Sequence, residues 1–412
     1  MKNIVNNMSA IIFALLCYVL VSVGSINPTA EFSLVFATLA AIILTLTNTK
    51  NIFNSLNRDH YILFYLLIVY VGIGILTYFT HEVTPDRTLN RIGTSLHFVL
   101  IIFSILALRQ YRISKKIFWL SIILGSIING IVALYQSQHL GIRAHGGINP
   151  IIFGDISLLL GFMSAISYSF FKKSRFRLLL PLTGFVCGIG ASILSGSRGG
   201  WVAIPFLIAT TLTYLYYQKK IYTKQVIMIF SLSVLLISIA FYLGWDVSAS
   251  RIEQAFQQFN AYFAPDNRDI HNSVGGRLEL WRGAILLLKD YPLLGSGMGG
   301  WKDAFAIQFA EGRMLDTSYY GNIHNQILQE GVNKGLVGIA SYLALNIYLF
   351  YYFFSNIKKK SHNHEIHLVG LLLVVGYFIF GLTNIVFNHG TFNTFFVAML
   401  ALIFTFTESV KN

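Results

Sequence analysis

Charged residues are scarce in this chain. Asp, Glu, Lys and Arg make up 11% of its 412 residues, whereas hydrophobic residues make up 55%. A soluble globular protein carries about 25% charged residues, so the composition argues against a soluble protein and predicts an integral membrane protein with many spans. Only seven prolines occur and no low-complexity tract interrupts the chain, which leaves little room for linkers. We therefore expect a single membrane domain over residues 1–412.

Cysteine and metal-binding motifs are also rare or missing. The two cysteines, Cys17 and Cys187, lie inside apolar runs, which fits neither a disulfide framework nor a zinc knuckle. No HExxH or CxxC motif occurs, so the sequence implies no metal and no cofactor. Gly295–Gly300 matches GxGxxG by letter, but no strand precedes it and no βαβ unit surrounds it. A turn after Pro292 is the expected structure there.

Long apolar runs predict an all-α polytopic fold with about twelve transmembrane helices, because one span needs about 20 mostly apolar residues. The runs cover residues 8–25, 29–47, 60–79, 92–108, 116–136, 151–171, 178–195, 200–217, 225–244, 327–355, 366–387 and 391–407. The last two are separated by a segment polar enough that they could instead form a re-entrant pair.

One long polar segment, residues 245–323, is inserted between the ninth and tenth predicted spans. Its sequence predicts helices over Arg251–Tyr262 and over Gly276–Lys289, the second ending at Tyr291-Pro292. An apolar stripe at helical spacing in the second helix is expected to pack on the membrane domain; it consists of Leu278, Trp281, Ile285 and Leu288.

The basic residues predict an orientation. With a cytoplasmic N-terminus, 18 of the 30 Lys and Arg residues fall in inward segments and four fall in short outward loops. This positive-inside pattern, with some attraction to anionic membrane lipids, explains the net charge of +13 without nucleic acid. All four outward residues are arginine, which can bind two phosphate oxygens at once. They are Arg87, Arg91, Arg143 and Arg198, and simple anchoring of helix ends is favoured for the first two.

His324 and Asn325 stand just before or within the first turn of the tenth predicted span. Gly331, Gly335 and Gly338 follow on one helix face, and the spacing of the first two predicts that a neighbouring helix comes close. The residues alone leave two interpretations open with even weight: a held functional site, or a helix N-cap with an incidental histidine.

Other polar residues are predicted on the same side of the membrane as His324. Arg143 lies among glycines in GIRAHGGINP, Arg198 lies in the tight turn SGSRGGW, and Arg277 lies in the first turn of a helix. A helix starting at Gly199–Trp201 would add its positive end, which favours phosphate. Arg282 lies near the apolar stripe, where a solvated face is the simpler interpretation.

Three motifs together resemble the O-antigen ligase family. They are SGSRGGW; GGRLELWRGA followed by YPLLGSGMGGW; and His324-Asn325, nine residues, then Gly335-Leu336-Val337-Gly338, which fits a His-polar-x9-GxxG pattern. The predicted spans and the single long loop also fit, so the resemblance extends over nearly the whole chain.

The resemblance implies a glycosyltransferase of the bacterial inner membrane whose active site faces the periplasm. Family members transfer a glycan from undecaprenyl diphosphate to lipid A-core in lipopolysaccharide biosynthesis, without metal or nucleotide sugar. By position, the resemblance makes His324 the catalytic residue and assigns the diphosphate to Arg198 and Arg277, with Arg143 a weaker match. Supporting residues are Asn325, Arg282, Gly335 and Gly338. Some members carry an acidic residue at the position of Asn384, so the role of that acidic residue is in doubt for this chain.

Rival functions remain at this level. An O-antigen polymerase or a protein O-oligosaccharyltransferase of the same superfamily would share the motifs and differ in its acceptor. A membrane transporter is less favoured, because transporters carry ionisable residues near the middle of the bilayer, and the sequence shows no acid there beyond Asp155, near a helix end.

Overall fold

The computed structural model describes residues 56–80, 85–110, 114–171, 175–219, 245–264, 268–359 and 363–406. Regular structure in these ranges is helical, which agrees with the predicted class. Numbered from the first described helix, the α-helices are α1 Arg58–Thr80, α2 Pro85–Gln110, α3 Lys115–Gln138, α4 Pro150–Ile166, α5 Arg175–Ser195, α6 Arg198–Trp201, α7 Ala203–Tyr217, α8 Trp245–Tyr262, α9 Ser273–Asp290, α10 Trp301–Ala310, α11 Gln326–Lys358, α12 His364–Gly381 and α13 Gly390–Thr405.

Six stretches among the described residues are long and apolar enough to cross a membrane, and three shorter apolar helices accompany them. Nine of the predicted spans fall on these helices, so a polytopic membrane protein is supported. The predicted spans 8–25, 29–47 and 225–244 lie outside the described residues, as does Cys17. The total of twelve therefore stays a prediction. One boundary was wrong: the span predicted over 366–387 ends at Gly381, and residues 382–389 form a loop.

The spanning helices place their connections at two ends of the bundle. At one end, the 382–389 loop meets the start of α11 through the Asn325 side chain, which donates to the Leu382 carbonyl at 3.2 Å. It meets α2 there too, because Arg91 donates to the Asn388 carbonyl at 3.0 Å. At the opposite end, Asn363 binds the Lys115 side chain and the Phe406 carbonyl. The first end, which holds Asn325 and the 382–389 loop, is called the loop-rich end below.

The long polar segment contains α8, α9 and α10, so both helices predicted there exist. The predicted packing face of α9 was wrong at Ile285, which is 50% exposed, whereas Trp281 packs on the buried cluster and Leu288 packs on Gly331 of α11, as predicted. The fully buried apolar residues of α9 are Leu280, Ala284 and Leu287, which pack with Trp301, Phe305, Met314, Ile323 and Val332. The buried carboxylate of Glu279 belongs to the same face and accepts hydrogen bonds from Tyr262, Arg282 and the Leu315 backbone. That charge needs these partners, and they set the rotation of α9.

Helix α11 is interrupted at Gly335, whose φ is 65° and ψ is −159°. The segment after α9 fills the break: Leu336 and Val337 donate their backbone N–H groups to the carbonyls of Pro292 and Leu293, at 2.8 and 3.3 Å. The prediction that Gly331 and Gly335 receive a neighbouring helix on one smooth face was therefore wrong at Gly335. The partner is the turn-rich segment after α9, and the turn predicted over Gly295–Gly300 is confirmed.

We expect Gly335→Ala to destabilise the protein strongly. A Cβ there would lie 2.2 Å from the Leu293 carbonyl oxygen, and the positive φ is unfavourable for any L side chain. The matched control is Gly72→Ala in α1, where a Cβ has no neighbour within 4 Å and alanine favours the helix by about 1 kcal/mol. Thermal unfolding in detergent should show a lower Tm for Gly335→Ala only. Equal Tm values for the two variants would contradict this account of the break.

Candidate active site at the loop-rich end

His324 has a backbone conformation that few residues adopt. Its φ is +55°, in the left-handed region, and its backbone N–H donates to the Asn322 side chain at 2.9 Å. Among non-glycine residues this region is uncommon, and it costs on the order of 1–2 kcal/mol. Asn325 is the N-cap of α11 and accepts from the Leu328 N–H at 3.1 Å. The cap is thus supplied by Asn325, and His324 is not needed for that purpose.

The His324 ring is held in the neutral form. Burial, and then the nearby positive charge of Arg277, lower the pKa of His324 to about 4. Its Nδ1 is buried and has no hydrogen-bond partner among the described residues. A protonated imidazole donates from both nitrogens, so protonation would bury an unsatisfied N–H. A neutral histidine is able to accept a proton at physiological pH.

Arg277 is the fifth residue of α9, in its second turn rather than in the first turn as predicted, because the helix already begins at Ser273 after the N-cap Asn272. The arginine is half-buried, and burial lowers its pKa, while the neighbouring Tyr320 opposes this shift. Gly276 makes the approach of Tyr320 possible, because a Cβ on Gly276 would lie 1.7 Å from the Tyr320 hydroxyl oxygen. Tyr320 in turn meets the His324 ring edge to face, with ring centroids 6.1 Å apart. Arg277, Tyr320 and His324 are therefore one group.

Arg143 and Arg198 form a second group on the turn between α5 and α6. Arg143 donates its Nε to the Ser195 carbonyl and its Nη2 to the Gly196 carbonyl, the latter at 3.1 Å. Burial, and then the charge of Arg198, lower the pKa of Arg143. The Arg198 side chain is exposed. Two positive charges that lie close together at an exposed turn favour the binding of an anion that has two or more oxygens.

Asp155 supports the turn that carries Arg198. The carboxylate is 1% exposed and accepts from the Ser197 hydroxyl at 2.6 Å. It lies directly under Gly200, where a Cβ would be 2.0 Å from Oδ1. The predicted helix start in SGSRGGW exists as α6, Arg198–Trp201, and its close contact with Asp155 explains why a glycine is needed there.

The 382–389 loop joins the two groups. Thr383 contacts the Arg198 turn, since a Cβ on Gly199 would lie 2.6 Å from the Thr383 hydroxyl oxygen. Leu382 binds Asn325, next to His324. Asn384 lies in the same loop, is 8% exposed and accepts from the Ile385 N–H. The loop thus spans from the Arg198 turn to the turn that carries His324.

A buried ionic network lies in the first three turns of α11, the helix that begins two residues after His324. Glu330 and Lys334 are both fully buried and form an ion pair of 2.7 Å. Glu330 Oε1 also accepts from Tyr70, Gln326 and Asn388, at 2.7, 2.6 and 3.0 Å. The Lys334 ammonium sits 3.5 Å from the centroid of the Tyr70 ring. Gln326 Oε1 continues the network by accepting from the Val386 and Phe387 N–H groups.

Comparison with known proteins identifies a matching family. Residues 183–343 match the family model described as O-Antigen ligase. The predicted resemblance to the O-antigen ligase family is confirmed. The family match covers less than half of the chain, so it is narrower than the sequence motifs indicated; it contains Arg198, Arg277 and His324 but not Arg143.

Two proteins are similar to this chain over more residues than the family model matches. One, named an uncharacterized protein, comes from Haemophilus influenzae and is 28% identical over 327 residues, which cover 76% of this chain and 79% of that protein. The other is named O-antigen ligase, comes from Escherichia coli K12 and is 24% identical over 268 residues, or 64% of this chain and 60% of that protein.

Within the O-antigen ligase match, the structure sorts the predicted site residues. His324 and Arg277 come together, Asn325 caps α11, and Gly335 breaks it. Gly338 is buried against Lys334, where a Cβ would lie 2.3 Å from the lysine Cβ. Arg282 was predicted as a supporting residue, but it pairs with Glu279 at 3.0 Å, on a different face of α9 from Arg277. It supports the fold of the long segment.

The Glu330–Lys334 network was missed by sequence reasoning, which singled out neither residue. Both residues are 0% exposed inside α11. Their spacing of four residues was the available signal, because i,i+4 acid–base pairs meet on a helix. That spacing is normally read as a surface pair, and only the packing of Tyr70 and Asn388 shows that it is buried.

We expect Glu330→Gln and Lys334→Met each to destabilise the protein, because each leaves one buried charge without its partner, which costs about 3–5 kcal/mol. The double variant removes both charges and should recover much of the Tm lost by either single variant. Glu311→Gln, at an exposed carboxylate that pairs with Arg313, is the matched control and should leave Tm unchanged. Strictly additive losses in the double variant would show that the two charges do not depend on each other.

Proposed function

We propose that this protein is an O-antigen ligase that transfers a glycan from undecaprenyl diphosphate to lipid A-core oligosaccharide on the periplasmic side of the bacterial inner membrane. The observation that carries the proposal is the neutral His324 beside Arg277, at the bundle end that also holds Arg143 and Arg198. A base and a set of arginines at one end of a membrane domain fit a reaction between a lipid diphosphate and a hydroxyl. The family match supports the same class.

The arginines would act on the donor. When the bond between the anomeric carbon and the diphosphate oxygen breaks, negative charge develops on the diphosphate. Guanidinium groups held in place beforehand stabilise that charge in the transition state. Each charge-assisted hydrogen bond contributes roughly 1.5–3 kcal/mol. Arg277 would bind near the reacting bond, because its charge already acts on His324, and Arg198 and Arg143 would bind the outer oxygens.

His324 would act on the acceptor. The attacking hydroxyl loses its proton to the neutral imidazole as its oxygen bonds to the anomeric carbon, and undecaprenyl diphosphate leaves. A single displacement of this kind inverts the configuration at the anomeric carbon. The proposed mechanism assigns no step to a metal or a cofactor.

The buried ion pair does not favour a transporter. Glu330 and Lys334 lie within the first three turns of α11, and the chain's own side chains satisfy Glu330. A transport site near the bilayer middle would instead leave polar groups for its substrate.

Transfer with purified protein distinguishes the proposed ligase from the polymerase of the same superfamily. We expect transfer of a lipid-linked glycan only when lipid A-core is added, with inverted configuration in the product. Chain growth from the lipid-linked glycan alone would identify a polymerase. Transfer to an added protein would identify an O-oligosaccharyltransferase. Movement of the lipid-linked glycan across proteoliposomes without transfer would identify a transporter.

The arginine assignment predicts that Arg198→Lys and Arg277→Lys each lose most transfer activity while Tm stays near the wild-type value. Lysine keeps the charge but cannot make the two-pronged contact with a diphosphate. Arg282→Lys is the matched control, because Arg282 pairs with Glu279; it should stay active. Near-normal transfer by Arg198→Lys and Arg277→Lys would mean that charge alone suffices.

The base assignment predicts that His324→Gln and His324→Asn both lower turnover by about 10²–10⁴-fold, with little change in donor binding. Asparagine tolerates the left-handed backbone of this position, so His324→Asn should keep or raise the Tm. A residue kept only to hold the turn would be replaced by asparagine without loss of activity. High turnover in either variant would remove the base assignment.

The pH dependence of the wild-type rate gives a second measurement on His324. Protonation inactivates a base, so the rate should fall as the pH drops through the His324 pKa of about 4, and full activity should persist at pH 5.5. Arg277→Gln should move this acid limb to higher pH in its residual activity, because the Arg277 charge is one of the two causes of the low pKa. A wild-type limb near 6.5 would contradict the buried, neutral histidine.

A further inference from the structure

Two tyrosines extend from His324 to the protein surface. The Tyr319 and Tyr320 ring centroids are 4.4 Å apart, with their planes tilted by 36°, and Tyr320 contacts the His324 ring. Tyr319 is 55% exposed, and Tyr320 is partly buried. The mechanism proposed above uses neither ring.

Both rings are held in place by their hydroxyl groups. The Tyr319 hydroxyl donates to the Ile270 carbonyl at 2.9 Å, and the Tyr320 hydroxyl donates to the Asn272 carbonyl at 3.4 Å. Gly276 leaves the space for the Tyr320 hydroxyl. A tyrosine fixed in this way offers a rigid amphipathic surface and loses little conformational entropy when a ligand binds.

We propose that Tyr319 and Tyr320 form the subsite for the acceptor sugars, which extends the proposed ligase function and rests on it. A pyranose ring presents C–H groups on its face and hydroxyls at its edge, so its face packs on an aromatic ring while its edge reaches polar groups. The sugar that carries the attacking hydroxyl lies against Tyr320, and the sugar next to it lies against Tyr319.

The position of the two rings favours the acceptor over the donor. His324 takes the proton of the acceptor hydroxyl, so the acceptor sugar must touch the ring of His324, which is the ring that Tyr320 contacts. The donor diphosphate is assigned to the arginines instead. The tyrosine pair extends from His324 to the exposed Tyr319. An oligosaccharide acceptor needs such an extended surface for the sugars beyond the reacting one, whereas an isolated hydroxyl group would not need it.

Steady-state kinetics with separate donor and acceptor titrations test the subsite. We expect Tyr319→Ala to raise the acceptor KM by about tenfold, with the donor KM and kcat little changed. Tyr319→Phe keeps the aromatic face and should stay close to wild type, and Tyr320→Phe should remain folded with a smaller rise. The matched control is Phe309→Ala, at an aromatic ring of the same long segment that is 49% exposed.

Binding of delipidated core oligosaccharide, measured by calorimetry without donor, separates this subsite from the ligase function itself. Wild-type binding that Tyr319→Ala weakens supports the subsite even if no transfer occurs. An unchanged acceptor KM in Tyr319→Ala, or an equal rise in Phe309→Ala, overturns it. A rise in the donor KM alone would assign the rings to the donor glycan and also overturn the proposal. Absence of both binding and transfer in the wild type would overturn both proposals together.

Discussion

The fully buried carboxylate of Glu330 is the constraint on which the loop-rich end depends. A carboxylate in a low-dielectric interior is tolerated only when charged and hydrogen-bonding partners surround it. Here the partners come from separate parts of the chain: Lys334 and Gln326 from α11, Tyr70 from α1 and Asn388 from the 382–389 loop. Satisfying one charge therefore fixes α11, the helix that begins two residues after His324, relative to α1 and the loop.

The break at Gly335 is a second constraint, made of backbone alone. A helix that stops and restarts leaves N–H and C=O groups that need partners in an apolar environment. The segment after α9 provides them, since Pro292 and Leu293 accept from the restarting helix and Ser296 donates to the Val332 carbonyl. This exchange attaches α9, and with it Arg277, to the helix that begins beside His324. The glycine-rich segment Gly295–Gly300 and the α11 segment that contains Gly331 and Gly335 therefore belong to one contact.

Strain and electrostatics act together at His324. Its left-handed backbone, its buried Nδ1 and the neighbouring charge of Arg277 each cost stability or disfavour protonation. The structure tolerates these costs because Asn325 caps α11 and the Glu330 network holds the first turns of the helix. Unfavourable local features that the surroundings maintain are typical of functional positions. The variant His324→Asn tests whether this holds for His324.

The sequence by itself determined the membrane class, the positions of nine apolar helices, six of them long enough to cross a membrane, and the motif that joins His324 to Gly335, because apolar runs and glycine spacing are local signals. It also indicated the family. Only the tertiary structure decided that Glu330 and Lys334 are buried, that Arg282 pairs with Glu279, and that Leu280 of α9 is fully buried while Ile285 is exposed. A side chain's burial and partners can depend on residues 260 positions away, as for Tyr70 and Glu330, and no local pattern records such distant contacts.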